Sequence, residues 1–124
     1  MNTKLKPGVL APNCRLSGSQ YLHHLINSNQ FALLIFHDDK LLPSKTKLQN
    51  FISEFQSIMN SVIVTRGTTD WELNTIEDVT GNIKKSYSAK PGSDYLIRPD
   101  KYIALCNDVL RLEEVRSYLN CLKQ

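Results

Sequence analysis

The run Phe31-Ala32-Leu33-Leu34-Ile35-Phe36 constrains this chain more than any other feature. Alternate side chains of a strand point to opposite faces, so six apolar residues in a row cannot sit on a sheet that shows one face to water. The run reads as a strand buried on both faces, in the middle of a sheet covered by helices on each side. Further on, Leu48, Phe51, Ile52, Phe55, Ile58 and Met59 recur at the spacing of one helical face. Pro43-Ser44 suits the start of that helix. Ser61 to Thr65, centred on Val62-Ile63-Val64, reads as a second buried strand. Strand, helix and strand over this distance predict a parallel pair joined by a right-handed crossover.

The remaining segments are shorter. Residues 1–13 hold two prolines and little pattern, which suggests an extended arm. Ser17-Gly18-Ser19 is a turn cluster, and Tyr21 to Ile26 reads as one or two turns of helix. Between Arg66 and Asp78, Trp71, Leu73 and Ile76 show no clean period. Asp78-Val79-Thr80-Gly81 reads as a turn and Ile83 to Tyr87 as a short helix. Tyr95-Leu96-Ile97-Arg98 and Tyr102-Ile103-Ala104-Leu105 are β-rich and flank Pro99-Asp100-Lys101, which predicts an antiparallel hairpin with proline at the second position of a type I turn. Asp108 is the expected N-cap of a closing helix whose Leu112, Val115, Leu119 and Leu122 share a face. The order is that of a thioredoxin-like α/β fold with a mixed central sheet and helices on both faces. The expectation is a single domain spanning 1–124, with 1–13 as its N-terminal arm.

Composition narrows the function classes. A chain of 124 residues can bury an ordinary apolar core. Its net charge of +3 is too small and too dispersed to predict nucleic-acid binding. Lys40, Lys45 and Lys47 form the densest basic stretch and read as a solvated helix start. No segment approaches the roughly 20 apolar residues of a membrane span, and no apolar core of a secretion signal follows Met1. Three cysteines, at 14, 106 and 121, suit thiols in a reducing compartment better than a disulfide framework. The expected location is the cytoplasm.

The expected fold also says where thiol chemistry belongs. A helix N-terminus offers unpaired N–H groups and the positive end of a dipole, which lower a thiol pKa. The position after the first central strand reads His37-Asp38-Asp39-Lys40-Leu41-Leu42, with no Cys-x-x-Cys and no single cysteine. His37, Asp38 and Asp39 are weighed as a metal or acid/base group, but consecutive side chains rarely converge on one centre, and polar punctuation after a buried strand is the favoured reading. Of His23 and His24, one should be half-buried and the other solvated. Cys106 and Cys121 read as buried structural thiols. No glycine-rich phosphate or dinucleotide loop, serine-hydrolase elbow or zinc-ligand spacing is present. The sequence therefore proposes no catalytic, cofactor-binding or metal-binding residue.

Two stretches carry a family resemblance. One is Lys6-Pro7-Gly8-Val9-Leu10-Ala11-Pro12-Asn13, continued by Leu16, Gly18, Leu22, Leu25 and the strand Leu33-Leu34-Ile35-Phe36. The other is Asp78-Val79-Thr80-Gly81 with Tyr87, followed by Tyr95-Leu96-Ile97-Arg98-Pro99-Asp100-Lys101-Tyr102-Ile103-Ala104. Together they resemble the C-terminal thioredoxin-like domain of flavin-dependent aromatic-ring hydroxylases, the phenol hydroxylase and polyketide hydroxylase group. Residues 38–77 lend no support. The resemblance implies a non-catalytic interaction or assembly domain, with FAD reached only through a flavoprotein partner, or with self-association as a homodimer. It implies a structural turn at Arg98, Pro99 and Asp100, with Arg98 bracing it. Lys101 stands where that family has glycine, which predicts a different turn or a small strain. The alternative is a thiol-dependent redox or peroxiredoxin-like protein using Cys14 or Cys106.

Overall fold

The computed structural model describes residues 5–17, 20–26, 29–37, 43–65, 75–78 and 80–122. The elements are β1 (Arg15–Ser17), β2 (Gln20–Tyr21), α1 (Leu22–Leu25), β3 (Phe31–Phe36), α2 (Lys45–Glu54), β4 (Met59–Thr65), β5 (Thr75–Glu77), α3 (Asn82–Tyr87), β6 (Asp94–Ile97), β7 (Ile103–Asn107) and α4 (Leu112–Leu122). Expectations that fall on Gly18, Ser19, Asp38 to Leu42, Trp71, Leu73 and Val79 lie outside the described residues.

The five-stranded sheet has the order β5-β4-β3-β6-β7. Its centre is β3, which runs parallel to β4 and antiparallel to β6. β4 is parallel to β5, and β6 is antiparallel to β7. The alternation along β3 builds both halves of the core. Ala32, Leu34 and Phe36 face one side and pack with Leu22, Ile83 and Tyr87 under α1 and α3. Leu33 and Ile35 face the other side and pack with Leu48, Phe51, Phe55, Val115 and Leu119 under α2 and α4. Every side chain from Ala32 to Phe36 is buried.

The helical stripe is shorter than its periodicity predicts. α2 ends at Glu54, and Phe55 caps it through a bond from its own N–H to the Ile52 carbonyl. Ile58 and Met59 do not belong to the helix. The Phe31 N–H donates to the Ile58 carbonyl at 2.9 Å, and Met59 starts β4 opposite Phe31. Phe55, Ile58 and Met59 are apolar in either setting, so the 3.6-residue pattern ran on into the strand. Asp108 is likewise not the cap of the last helix. α4 begins four residues later, and Asp108 pairs instead with Lys90 at 3.5 Å. β5 has no signature of its own, since Thr75 and Glu77 are exposed and only Ile76 turns inward.

The β6–β7 hairpin shows how one residue shapes a turn. The Lys101 N–H donates to the Arg98 carbonyl at 2.8 Å and the Arg98 N–H to the Tyr102 carbonyl at 2.8 Å. Lys101 has φ of 76°, the left-handed conformation that follows a type I turn in a three-residue hairpin loop. Asp100 holds the loop on two sides, accepting from the Arg98 guanidinium at 2.6 Å and from the Tyr102 N–H at 3.2 Å. Both Arg98 and Asp100 are about half exposed, so the ion pair contributes on the order of 1 kcal/mol or less.

The arm does more than lead into the domain. Gly8 and Ala11 donate to the carbonyls of Ile103 and Lys101, and Ile103 donates to Val9. These bonds lay the arm along the outer side of the hairpin and cover backbone groups that an edge strand would leave open. The left-handed φ of Lys101 strains a residue with a Cβ by about 1 kcal/mol. Lys101→Gly should therefore raise the unfolding free energy by about 0.5–1 kcal/mol in urea titration, whereas Lys101→Val should lower it.

Candidate functional site

The place where this topology would activate a thiol is the start of α2, beyond the C-terminal end of β3. Ser44 occupies the cap there, with its Oγ accepting from the Lys47 N–H at 3.2 Å. No cysteine lies between Cys14 and Cys106. The described side of this edge is a small cavity of about 220 Å³ bounded by Phe36, His37, Val64, Asp78, Lys84 and Lys90. Its carboxylate is already engaged. Asp78 is buried and accepts from the Ile83 and Lys84 N–H groups at 3.1 and 3.0 Å, which fixes the start of α3.

The three cysteines lie away from α2's first turn. Cys14 is 2% exposed and packs on the α1/α3 face, across the sheet from α2. Burial pushes its thiol pKa up, the Asp78 charge adds to this, and a bond from Ser86 opposes it. A thiol held protonated in this way is a poor nucleophile. Cys106 is half-buried on β7, where its Sγ donates to the Leu5 carbonyl at 3.7 Å. Cys121 is exposed in the last turn of α4, which corrects the expectation of a buried thiol there. No disulfide joins any of them. His23 is half-buried, with its pKa lowered chiefly by burial, and His24 is exposed.

Between Cys14 and Cys106 stands an aromatic wall. Tyr87 and Tyr95 meet edge to face at 5.1 Å between ring centres, and Phe36 packs against both at about 6 Å. The Tyr87 hydroxyl donates to the Pro12 carbonyl and the Tyr95 hydroxyl to the Tyr87 carbonyl, each at 2.7 Å. Burial drives the Tyr87 pKa well above its ordinary value and pushes Tyr95 up to about 12. Outside this wall lies the larger groove, about 800 Å³, whose lining includes Lys6, Tyr95, Cys106, Asn107 and Arg111.

One titratable group was not singled out by sequence. Asp94 starts β6 and is 1% exposed. Burial pushes its carboxyl up to about 7, with the facing Asn107 amide opposing and the Glu114 charge adding to the rise. The sequence places it directly before the apolar Tyr95-Leu96-Ile97, where a carboxylate is ordinary. Only the pairing of β6 with both β3 and β7 shows that it is enclosed. Among the described residues no cluster of three or more His, Cys, Asp or Glu could hold a metal ion. No helix of the described residues is long and apolar enough to cross a membrane.

No protein-family model matches the sequence, and no curated protein is significantly similar to it. Solved structures do match. The mitochondrial 2-Cys peroxiredoxin of Plasmodium falciparum superposes with a TM-score of 0.68 at 13% identity, covering 92% of each chain. The thioredoxin domain of a thiol-disulfide oxidoreductase from Bacteroides vulgatus gives 0.70 at 15% identity, covering 93% of this chain and 99% of that one. A PrxQ mutant from Xylella fastidiosa gives 0.69 at 18% identity over the full length of both. The fold is therefore thioredoxin-like, with a mixed five-stranded sheet and helices on both faces. At these identities the likeness is one of fold. It lends no support to the hydroxylase-domain resemblance or to a flavoprotein partner.

The raised Asp94 pKa fixes the sign of a pH effect. The folded chain keeps this proton up to about pH 7, whereas the unfolded chain releases it near the ordinary carboxylate value of 3.8. The residue's contribution to stability is thus full below about pH 4, falls as pH rises towards 7, and levels off above that. Asp94→Asn should remove this slope. In denaturant titrations it should exceed wild type by about 2 kcal/mol or more at pH 8 and by much less at pH 4.

Proposed function

We propose that this chain is a non-catalytic thioredoxin-fold domain that works by associating with protein, in its simplest form with a second copy of itself. The observation that carries this reading is the first turn of α2, where a serine caps the helix and no thiol is available. The most enclosed thiol, Cys14, lies on the opposite face of the sheet with its pKa raised. Two apolar side chains at the sheet edge support this reading: Leu10 and Tyr102 are bridge partners and are 54% and 42% exposed. Neighbouring apolar side chains left in water at an edge favour association.

The second reading is a thiol-dependent redox protein of peroxiredoxin or disulfide-oxidoreductase type, using Cys106. The structural likenesses favour it more than the first. So does the position of Cys106 in a groove that also holds Lys6, Lys90 and Arg111. In that case the thiolate would attack a peroxide oxygen, breaking the O–O bond to give a sulfenate and water or an alcohol.

Light scattering coupled to size exclusion, together with peroxide-consumption and disulfide-reduction assays, separates the two. On the first reading the wild-type chain elutes as a dimer, Leu10→Asp and Tyr102→Asp elute as monomers, and no turnover exceeds that of the Cys14→Ser/Cys106→Ser/Cys121→Ser variant. A strictly monomeric wild type, with turnover abolished by Cys106→Ser alone, would establish the second reading and end the first.

A further inference from the structure

Asp94 lies opposite Ile35 of β3 on one side and Asn107 of β7 on the other. It shares the α2/α4 face with Leu96, two residues along the strand. No well-formed hydrogen bond closes on Oδ1 or Oδ2 or on the buried Nδ2 of Asn107, although the Asn107 side-chain amide and backbone N–H stand close enough to favour the anion. A carboxyl so enclosed is tolerated as the neutral acid and strongly disfavoured as the anion.

What covers this end of the face is thin. Leu110 and Leu112 are buried over it, and the Leu110 N–H donates to the Gly92 carbonyl at 2.7 Å, two residues before Asp94. Space opens on both flanks of this segment. One flank is the 800 Å³ groove reached by Asn107 and Val109, and the other is a cavity of about 510 Å³ reached by Pro43 and Lys47. Arg111 and Glu114 line both. The start of α4 therefore lies between two cavities and over a buried acid whose hydrogen bonds are poorly formed.

We propose that Asp94 is a proton-operated latch for the start of α4: protonated, it lets the segment Leu110–Glu114 lie on the sheet, and ionised, it drives that segment off and joins the two cavities into one groove. The surrounding charges set the direction. Glu114, on the segment that moves, repels the anion. Arg111 is paired with Glu114 at 4.0 Å, and Lys90 with Asp108 at 3.5 Å. From α2, Lys47 lies across the second cavity; β3 brings Ile35, with the half-buried His37 two residues further along, and β7 brings the Asn107 amide. No described cation is seated to hold the ionised form in place, so opening the partition to water is the way to solvate it.

Amide hydrogen exchange followed by NMR at Leu110, between about pH 5.5 and 8.5 and corrected for intrinsic rate, tests the latch. In the wild type, protection at Leu110 should fall about tenfold or more across this range while the amides of β3 stay protected. In Asp94→Asn, protection should stay high throughout. Protection that is flat in the wild type, or lost equally in the variant, overturns the proposal. If the variant does not fold, the wild-type Asp94 carboxyl carbon decides. Titration coinciding with the loss of Leu110 protection supports the latch, and titration completed below about pH 5 overturns it.

Discussion

A strand with no polar side chain has only one stable position, and the rest of this molecule follows from putting it there. β3 must be hydrogen-bonded on both sides and roofed on both faces, because its backbone and side chains have nowhere else to satisfy themselves. The β3–α2–β4 connection supplies a parallel neighbour and one roof. The later hairpin supplies an antiparallel neighbour, and α3 and α4 complete the two covers. The five-residue alternation from Ala32 to Phe36 thus divides the apolar residues between two cores without a shared side chain.

What could be read in the sequence was whatever rested on local chemistry. The β3 run, the Ser44 cap and the Pro99-Asp100 turn all have causes within a few residues of themselves, and the left-handed Lys101 falls where a glycine was missed. What could not be read depended on partners far away. The helical stripe ran into Met59 because both α2 and β4 need apolar residues there, and only the bond between Phe31 and Ile58 decides which. β5 is a strand because β4 offers it an open edge, not because Thr75-Ile76-Glu77 prefers to be one. Asp94 was missed for the same reason. A carboxyl ahead of an apolar run is ordinary at a solvated strand end, and its enclosure is the work of α4 and of the 108–111 link.

The chemistry left out of the site is as informative as the fold that is kept. Thioredoxin-like enzymes depend on placing a thiol at a helix N-terminus, where the helix itself lowers the pKa. Here the N–H that such a thiolate would use is taken by a serine hydroxyl. Cys14 and Cys106 have instead settled on the other face, one enclosed among apolar side chains and one against a backbone carbonyl. The titratable group that the fold does perturb most usefully is a carboxyl near the start of α4.

The arm laid along the hairpin has a consequence for the order of folding. Its contacts join residues at opposite ends of the sequence, as in the approach of Cys106 to Leu5 across 101 positions. Closing so long a loop yields few bonds at first, so it becomes favourable only after β3, β4 and the hairpin have formed a surface to dock on. The seam should be the last piece to zip up during folding and the first to fray in the native state. A probe that tightened it, or a partner strand that replaced it, would act on the edge of the sheet without disturbing either core.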